Sequence, residues 1–293
     1  MATAAVEERT FARRRALLPR PAPLAVALGL IVLAIVAAPL IAPHDPTRAD
    51  ILNRLAAPGW DYPLGTDAMG RCLLSRLLYG ARLTVAAAVL VVAAAATVGT
   101  LVGLAAGEAG GWLDRVVMRF VEGVSILPAL AVSLVIAGTL GLSLVSVLIA
   151  LTAVHWTEYA RVVRNMTVVE RAKPYVMAAQ AMGAPGRVIM FRHLLPNVGG
   201  PLLVLGAYSM SWVILAFAGL SFLGLGVEPG TAEWGRMVAE ARSHMRAYPR
   251  LVLAPGLSIM ALVIVVNLLG DALADRWRVD QVLARSFRKG RPA

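Results

Sequence analysis

The sequence predicts an all-α protein that crosses a lipid bilayer several times, and two observations carry this expectation. Of its 293 residues, 59% are hydrophobic and only 15% charged, with a mean hydropathy of +0.73, well outside the balance of a soluble globular chain. The apolar residues are also gathered into uncharged runs long enough to cross about 30 Å of hydrocarbon, with Lys and Arg clustered between alternate runs. The net charge of +11 is not accompanied by an aromatic-interleaved basic stripe. Positive charge flanking membrane spans accounts for it, and no nucleic-acid partner is expected. Cys72 is the sole cysteine, which excludes an internal disulfide and a cysteine-rich metal site.

Residues 1–22 form an Arg-rich tail carrying Arg9, Arg13, Arg14, Arg15 and Arg20, expected in the cytoplasm. The first transmembrane helix follows at 23–43. Pro39-Leu40-Ile41-Ala42-Pro43 is a poor cleavage site, so this is an uncleaved span rather than a signal peptide. Residues 44–82 are the first external segment, mixed in charge, rich in turn residues and carrying a surface helix. Gly65 and Gly70 permit tight turns there, and Asp67 is placed to cap a following helix or to pair with Arg71 or Arg76.

The stretch 83–274 holds five further spans. The first, 83–107, is dominated by Ala and Val, and such small-residue faces let helices approach closely in lipid. A short cytoplasmic loop turns at Gly110-Gly111. Residues 123–157 lack Asp, Glu, Lys and Arg, and as one helix they would be roughly 50 Å long. They must therefore turn, at 138–143, giving spans of about 117–138 and 143–162 with Glu122 and Glu158 at their inner ends. Those acids are expected to be solvated or paired with Arg119, Arg161 or Arg164. The run 194–227 is read as one span at about 200–221 with a glycine-rich exit at Gly224 and Gly226, because two spans would carry the basic tail 275–293 outside. Residues 228–250 are external, with Trp234 and Tyr248 placed like interfacial anchors, and 251–270 is the last span. The topology is six spans with both ends inside.

The one long polar interruption is 161–196, which carries Arg161, Arg164, Arg171, Lys173, Arg187 and Arg192 and is therefore cytoplasmic. Within it Pro174 suits a first helical position, a helix of about two turns runs over 175–182, Gly183 takes the left-handed closing position, and Pro185 forbids continuation. Met177-Ala178-Ala179 at its centre lets another protein's groove come close to the backbone. A short capped helix on such a loop is a docking knob.

Ala178-Ala179, Gly183 and Leu195-Pro196 resemble the "EAA" loop of ABC importer permeases. His193-Leu194-Leu195-Pro196-Asn197 has the form seen in the dipeptide, oligopeptide and nickel permeases. Met177 stands where that motif has its acid. Upstream, Leu64-Gly65-Thr66-Asp67, Gly70-Arg71, Ser75-Arg76 and Gly80-Ala81-Arg82 resemble the signature that precedes the second span in the same family, with Cys72 in place of its usual aspartate. The resemblance implies a type I ABC importer permease with a MetI-like core, the second or "C"-type subunit of its pair. It implies that Tyr175, Met177, Ala178, Ala179, Met182, Gly183 and Ala184 form the helix that docks on an ATPase. His193, Leu195, Pro196 and Asn197 would be its closing motif, and Gly65, Thr66, Asp67, Gly70, Arg71, Ser75 and Arg76 the periplasmic signature.

No Gly-Lys-Ser or Gly-Lys-Thr occurs, so the chain lacks a phosphate-cradling loop and is not its own ATPase. The histidines at 44, 155, 193 and 244 do not form ligand spacing, and no catalytic, cofactor or metal residue is expected. The resemblance then supplies the partners: two ABC ATPase subunits, a second homologous permease, and a periplasmic or lipid-anchored substrate-binding protein, all assembled in the cell inner membrane. Di- or oligopeptides are the expected cargo, with nickel chelates and glutathione as alternatives. Two rival classes are an ion-coupled secondary transporter, which normally shows an intramembrane acid or an inverted repeat, and a membrane protein that docks a partner without moving solute.

Overall fold

The computed structural model describes Val26, Gly29, Leu33 and residues 35–289, with 276–289 as backbone alone. The predicted N-terminal tail and most of the first predicted span lie outside the described residues. Helices joined by loops make up the described residues, and the nearest approach to a strand among them is a single bridge between Thr66 and Cys72. The helices are α1 (Ala38–Ile41), α2 (Leu73–Ala109), α3 (Gly111–Ile126), α4 (Ala129–Leu140), α5 (Leu144–Arg171), α6 (Pro174–Ala181), α7 (Gly186–Phe222), α8 (Trp234–Ala241) and α9 (Arg250–Lys289). Of these, α2, α7 and the 250–275 part of α9 are long and apolar enough to cross a membrane.

The direction of each pass follows from side-by-side contacts. A Cβ on Gly99 would lie 2.4 Å from the Trp156 carbonyl oxygen, on Gly103 2.5 Å from that of Ala160, and on Gly107 2.7 Å from Thr167 Cβ. These glycines are spaced by four on one face of α2, and their partners on α5 advance in the same order. The two helices are therefore parallel and in backbone contact, the close approach that small residues allow where no hydrophobic effect separates helix from lipid. Because α2 and α5 run in the same direction, α3 and α4 must carry the chain back between them. In turn α7 runs against α2 and α9 against α7, where Gly270 meets Ala207 and Ser211 donates to Asn267 at 2.9 Å. Residues 44–72, 141–143 and 223–250 consequently share one end of the bundle, and 108–111 and 172–188 the other.

Four expectations need correction. The surface helix expected in the external segment is reduced to one exposed 3₁₀ turn, Ile51–Asn53, the remainder of 44–72 being loop, and Leu73 opens α2, which runs unbroken for 37 residues. Charges at Arg76 and Arg82 look like a water-facing stretch, but Arg76 is 1% exposed and its charge is neutralised locally. The predicted straight span 117–138 is broken at Leu127-Pro128, where α3 and α4 meet at 90°. Proline denies the ladder an N–H and pushes the residue before it to extended geometry, and Leu127 duly sits at φ −77, ψ 142. The predicted span at 200–221 belongs to a helix that already starts at Gly186 and contains a π-helical stretch, Ile189–Leu194. Finally Trp234 is no interfacial anchor. It is 5% exposed and donates from Nε1 to the Leu77 carbonyl at 3.0 Å.

That burial comes from α8 being wedged into the bundle. A Cβ on Gly80 would stand 2.9 Å from Trp234 Cδ1, and one on Gly235 2.1 Å from the Ala218 carbonyl oxygen, so only glycine lets α2, α7 and α8 meet. Glu233, 0% exposed, caps α8 by accepting from the Gly235 and Arg236 N–H groups at 2.9 and 2.8 Å. The main core, with Leu73, Val91, Leu151, Ile214 and Phe217, lies beneath this wedge. A second cluster at the opposite end unites Leu104, Val163, Val176, Ile189, Leu194 and Val198. The predicted turn at 138–143 is present, with Gly141 at φ +95 and the Ser143 hydroxyl accepting from Ser146 N–H.

Candidate functional site

The structure places the two sets of predicted site residues at opposite ends of the bundle. At one end α6 is an isolated helix of two turns. Lys173 is extended before it, Pro174 takes the first helical position, and Gly183 closes it at φ +79. The Gly183 N–H bonds the Gln180 carbonyl at 2.9 Å and the Ala184 N–H bonds that of Ala179 at 3.0 Å, the paired bonds of a Schellman cap. Val176 and Ala179 face inward onto the second core cluster, at 0% and 7% exposure. Ala179 is therefore not part of the accessible face expected from the sequence. That face is made by Tyr175, Met177, Ala178 and Met182, the last 82% exposed, and is extended by Val188 and Phe191 from the start of α7.

The knob is held from α5 and α7, and the end of α5 is held in turn by α2. Glu170, at the end of α5, receives the Lys173 ammonium at 2.5 Å and the Tyr175 hydroxyl. Burial, then the hydrogen bond to Glu170 and that carboxylate's charge, pushes the Tyr175 phenol up to about 12, so it stays a donor. Asn197 donates to the Tyr175 oxygen at 3.1 Å and to the His193 carbonyl at 2.6 Å, and the His193 and Tyr175 rings lie 6.0 Å apart. Arg171 reaches back to the end of α2, donating to the Gly107 carbonyl at 3.1 Å and to that of Glu108, and pairs with the Glu108 carboxylate at 3.3 Å. Tyr175, His193 and Asn197, distant in sequence, are thus brought together. Pro196 is exposed, and Leu195 is half-buried against the second core cluster. Glu170, Val188 and Phe191 escaped the sequence reading, and Arg171 entered it only as a topology charge, although apolar side chains flanking Arg187 and Arg192 are a signal for Val188 and Phe191.

At the other end the signature residues form a buried polar clamp. Asp67 accepts from the Met69 and Arg71 N–H groups at 2.8 and 2.9 Å, from Arg71 Nε at 2.7 Å and from Arg76 Nη1 at 2.5 Å. Both arginines continue to Glu240 on α8, at 2.8 and 3.0 Å, and Arg71 and Arg76 also donate to the carbonyls of Gly230 and Thr231. Gly70 is at φ +77, and a Cβ there would fall 1.7 Å from the Asp50 carbonyl oxygen. Gly65, also at φ +77, would meet that of Ala56 at 2.4 Å. Thr66 is 0% exposed, and its hydroxyl accepts from Ala56 N–H at 2.8 Å and donates to the Asn53 carbonyl. Ser75 accepts from His44 N–H at 3.1 Å. The signature therefore folds a loop and bolts it to α8, and Glu240 was the member sequence reasoning missed.

Burial works to raise the Asp67 and Glu240 carboxyls, but the arginines and backbone N–H groups outweigh it and hold both below the usual carboxylate range. A carboxyl depressed in the folded state stabilises above its unfolded pKa, and that contribution disappears as pH falls through the folded value. The melting temperature of the purified protein in detergent is thus expected to be unaffected by clamp titration between neutral pH and roughly 4–5, and to drop in stronger acid. A Glu240→Gln variant that keeps the wild-type acid limb would show that Glu240 contributes nothing to it.

The chain matches the family described as binding-protein-dependent transport system inner membrane component over residues 99–279. It is 39% identical to the dipeptide transport system permease protein of Haemophilus influenzae, over 85% of this chain and 88% of that protein. Identity is 36% with the glutathione transport system permease protein of Pectobacterium atrosepticum, over 86% and 85% of the two chains. With the nickel transport system permease protein of Escherichia coli it is 37%, over 85% and 92%. On that breadth of match and on its all-helical, membrane-spanning architecture, the chain belongs to the inner membrane components of binding-protein-dependent transport systems, as an ABC importer permease of the dipeptide, oligopeptide and nickel family.

Proposed function

We propose that this chain forms half of the membrane channel of an importer for di- or oligopeptides, and that its energy comes from two separate ATP-hydrolysing subunits. The observation that carries the reading is α6: a helix opened by Pro174 and closed by a Schellman cap at one end of the bundle, with Tyr175, Met177 and Met182 exposed and its base tied to α5 and α7. An ATPase groove receiving that face moves α5 and α7 with it, because α6 is pinned to both, and α2 follows through the Arg171 bonds at the end of α5. A cytoplasmic position for this end is supported by the surrounding Arg164, Arg171, Lys173, Arg187 and Arg192. The clamp end is then external, where a binding protein delivers its load. With the first span at 23–43, six passes leave both termini inside. A second homologous permease completes the channel.

Peptide cargo is supported by the likeness to the dipeptide permease. The comparable identity to a glutathione and a nickel permease makes those the competing loads. The test is reconstitution of this chain with its permease partner, ATPases and binding protein in proteoliposomes. Dipeptide uptake is expected to need ATP, to survive collapse of ion gradients, and to resist competition by glutathione or nickel. Uptake that follows the ion gradient, or none in the complete assembly, would overturn the importer reading. Uptake of glutathione or nickel alone would overturn the cargo.

A further inference from the structure

At the break between α3 and α4 the helices do not close on one another. A cleft of about 480 Å³ opens there, with Ser125, His155, Glu158, Arg161, Tyr208 and Trp212 in its walls. At about 1.5 Å rise per residue, His155 stands roughly 17 Å from the start of α5 and roughly 24 Å from its end, near half depth in the bundle. Ionisable side chains at that depth are costly against lipid and are retained where they line a wet path or meet a partner.

Three of them, His155, Glu158 and Arg161, follow one another at spacing three on a single face of α5. His155 is 7% exposed, and its ring lies flat on that of Trp212, 5.0 Å between centroids and 1° apart in plane. Its Nε2 has no hydrogen-bond partner among the described residues, while Nδ1 is 3.7 Å from the Glu158 carboxylate. Glu158 opens to the cleft with its side chain 52% exposed. Arg161 is exposed too, forms no hydrogen bond among the described residues, and has Glu158 as its electrostatic neighbour. One wall thus offers an acceptor for a cation and a donor fork for an anion a turn apart, beside a rigid aromatic face.

We propose that this cleft is a way-station for a zwitterionic solute such as a short peptide. Glu158 receives the ammonium, Arg161 the carboxylate, and the His155–Trp212 stack supports the apolar part between them. The proposal rests on the importer reading above and gives it a location inside the membrane. Both charged groups remain solvated, which keeps binding weak enough for the solute to leave again, as a path requires. Tyr208 joins the rim and donates to Asp271 on α9 at 2.5 Å, so the cleft also touches the last helix.

The test uses the complete importer in proteoliposomes. Cys72, the sole native cysteine, is 1% exposed, so a Ser125→Cys thiol can be followed with a methanethiosulfonate reagent. Saturating dipeptide with loaded binding protein and ATP is expected to slow its labelling. Glu158→Gln and Arg161→Gln are each expected to raise the KM for dipeptide uptake about tenfold, while Glu158→Asp stays near wild type. Co-purification of the variant complexes reports on assembly. Labelling indifferent to peptide in an importer that does take it up, or wild-type KM in both neutral variants, would overturn the way-station and leave the importer intact. Wild-type proteoliposomes that take up no peptide would overturn both.

Discussion

Arg76→Ala is expected to lower the stability of the permease more than any other single truncation at the clamp. The Arg76 side chain is 2% exposed and contacts Asp67, Glu240 and the Thr231 carbonyl. Its removal leaves two carboxylates, side chains 10% and 23% exposed, with Arg71 between them and Arg236 on the far side of Glu240 at 3.4 Å. Breaking a buried pair from one side costs about 3–5 kcal/mol, because the remaining charge has lost its partner and cannot regain water. Set against a typical total of about 5–15 kcal/mol, that is enough to deplete the folded protein from the membrane. The measurement is the melting temperature and yield of the solubilised chain. Glu240→Gln placed on top of Arg76→Ala is expected to recover part of the loss, since it removes one of the stranded charges, and the double-mutant cycle isolates that coupling. Arg119→Ala supplies the contrast: its pair with Glu122 spans 3.5 Å between side chains 87% and 57% exposed, and no change in melting is expected. An Arg76→Ala protein that melts with the wild type would show the clamp to be ornamental.

The same residue shows where sequence reading reached and where it stopped. Proline and glycine act on their own backbone, so Pro174 and Gly183 delimit α6 to within a residue of expectation, and Gly141 turns the chain where expected. Arg71 and Arg76 were recognisable as part of a signature, and their pairing with Asp67 was among the options weighed. Their second acid, Glu240, lies 169 and 164 positions away, and charge alone says nothing of a partner at that range. Read locally, the arginines belonged on a wet surface. Trp234 failed for a related reason: an aromatic in a polar segment fits an interfacial anchor, and only the meeting of Gly80 and Gly235 with neighbouring helices shows the gap it fills. The break at Pro128 does not show in the charge pattern, because the uncharged run 123–157 reports only length and its turn. The cleft at that break is invisible for the same reason, since on straight spans Glu158 falls at an inner end.

Gly183→Val is expected to leave the permease in the membrane and to uncouple it from ATP. Gly183 is at φ +79, where a β-branched residue is strained, yet a Cβ there would meet nothing within 4 Å. No clash spreads into the bundle, so the substitution acts on the cap alone. Strain of about 1–3 kcal/mol is comparable to what the Schellman bonds from Gly183 to Gln180 and from Ala184 to Ala179 contribute, so the chain is expected to surrender them. Met182 and the exposed face of α6 then lose their fixed aim, while Val176 and Ala179 still anchor the helix base. Uptake by the reconstituted importer is expected to fall about tenfold or more, for roughly 1.4 kcal/mol of misdocking per factor of ten. Stimulation of ATP hydrolysis by loaded binding protein should fall in parallel, with the yield of inserted permease unchanged. Gly183→Asn separates backbone from bulk, because asparagine enters the left-handed region readily and is of similar size to valine. It is expected to keep most of the uptake that Gly183→Val loses. If both variants transport like the wild type, the closing turn of α6 does not set the contact; if both fail alike, the cause is side-chain volume in the groove rather than the geometry of the cap.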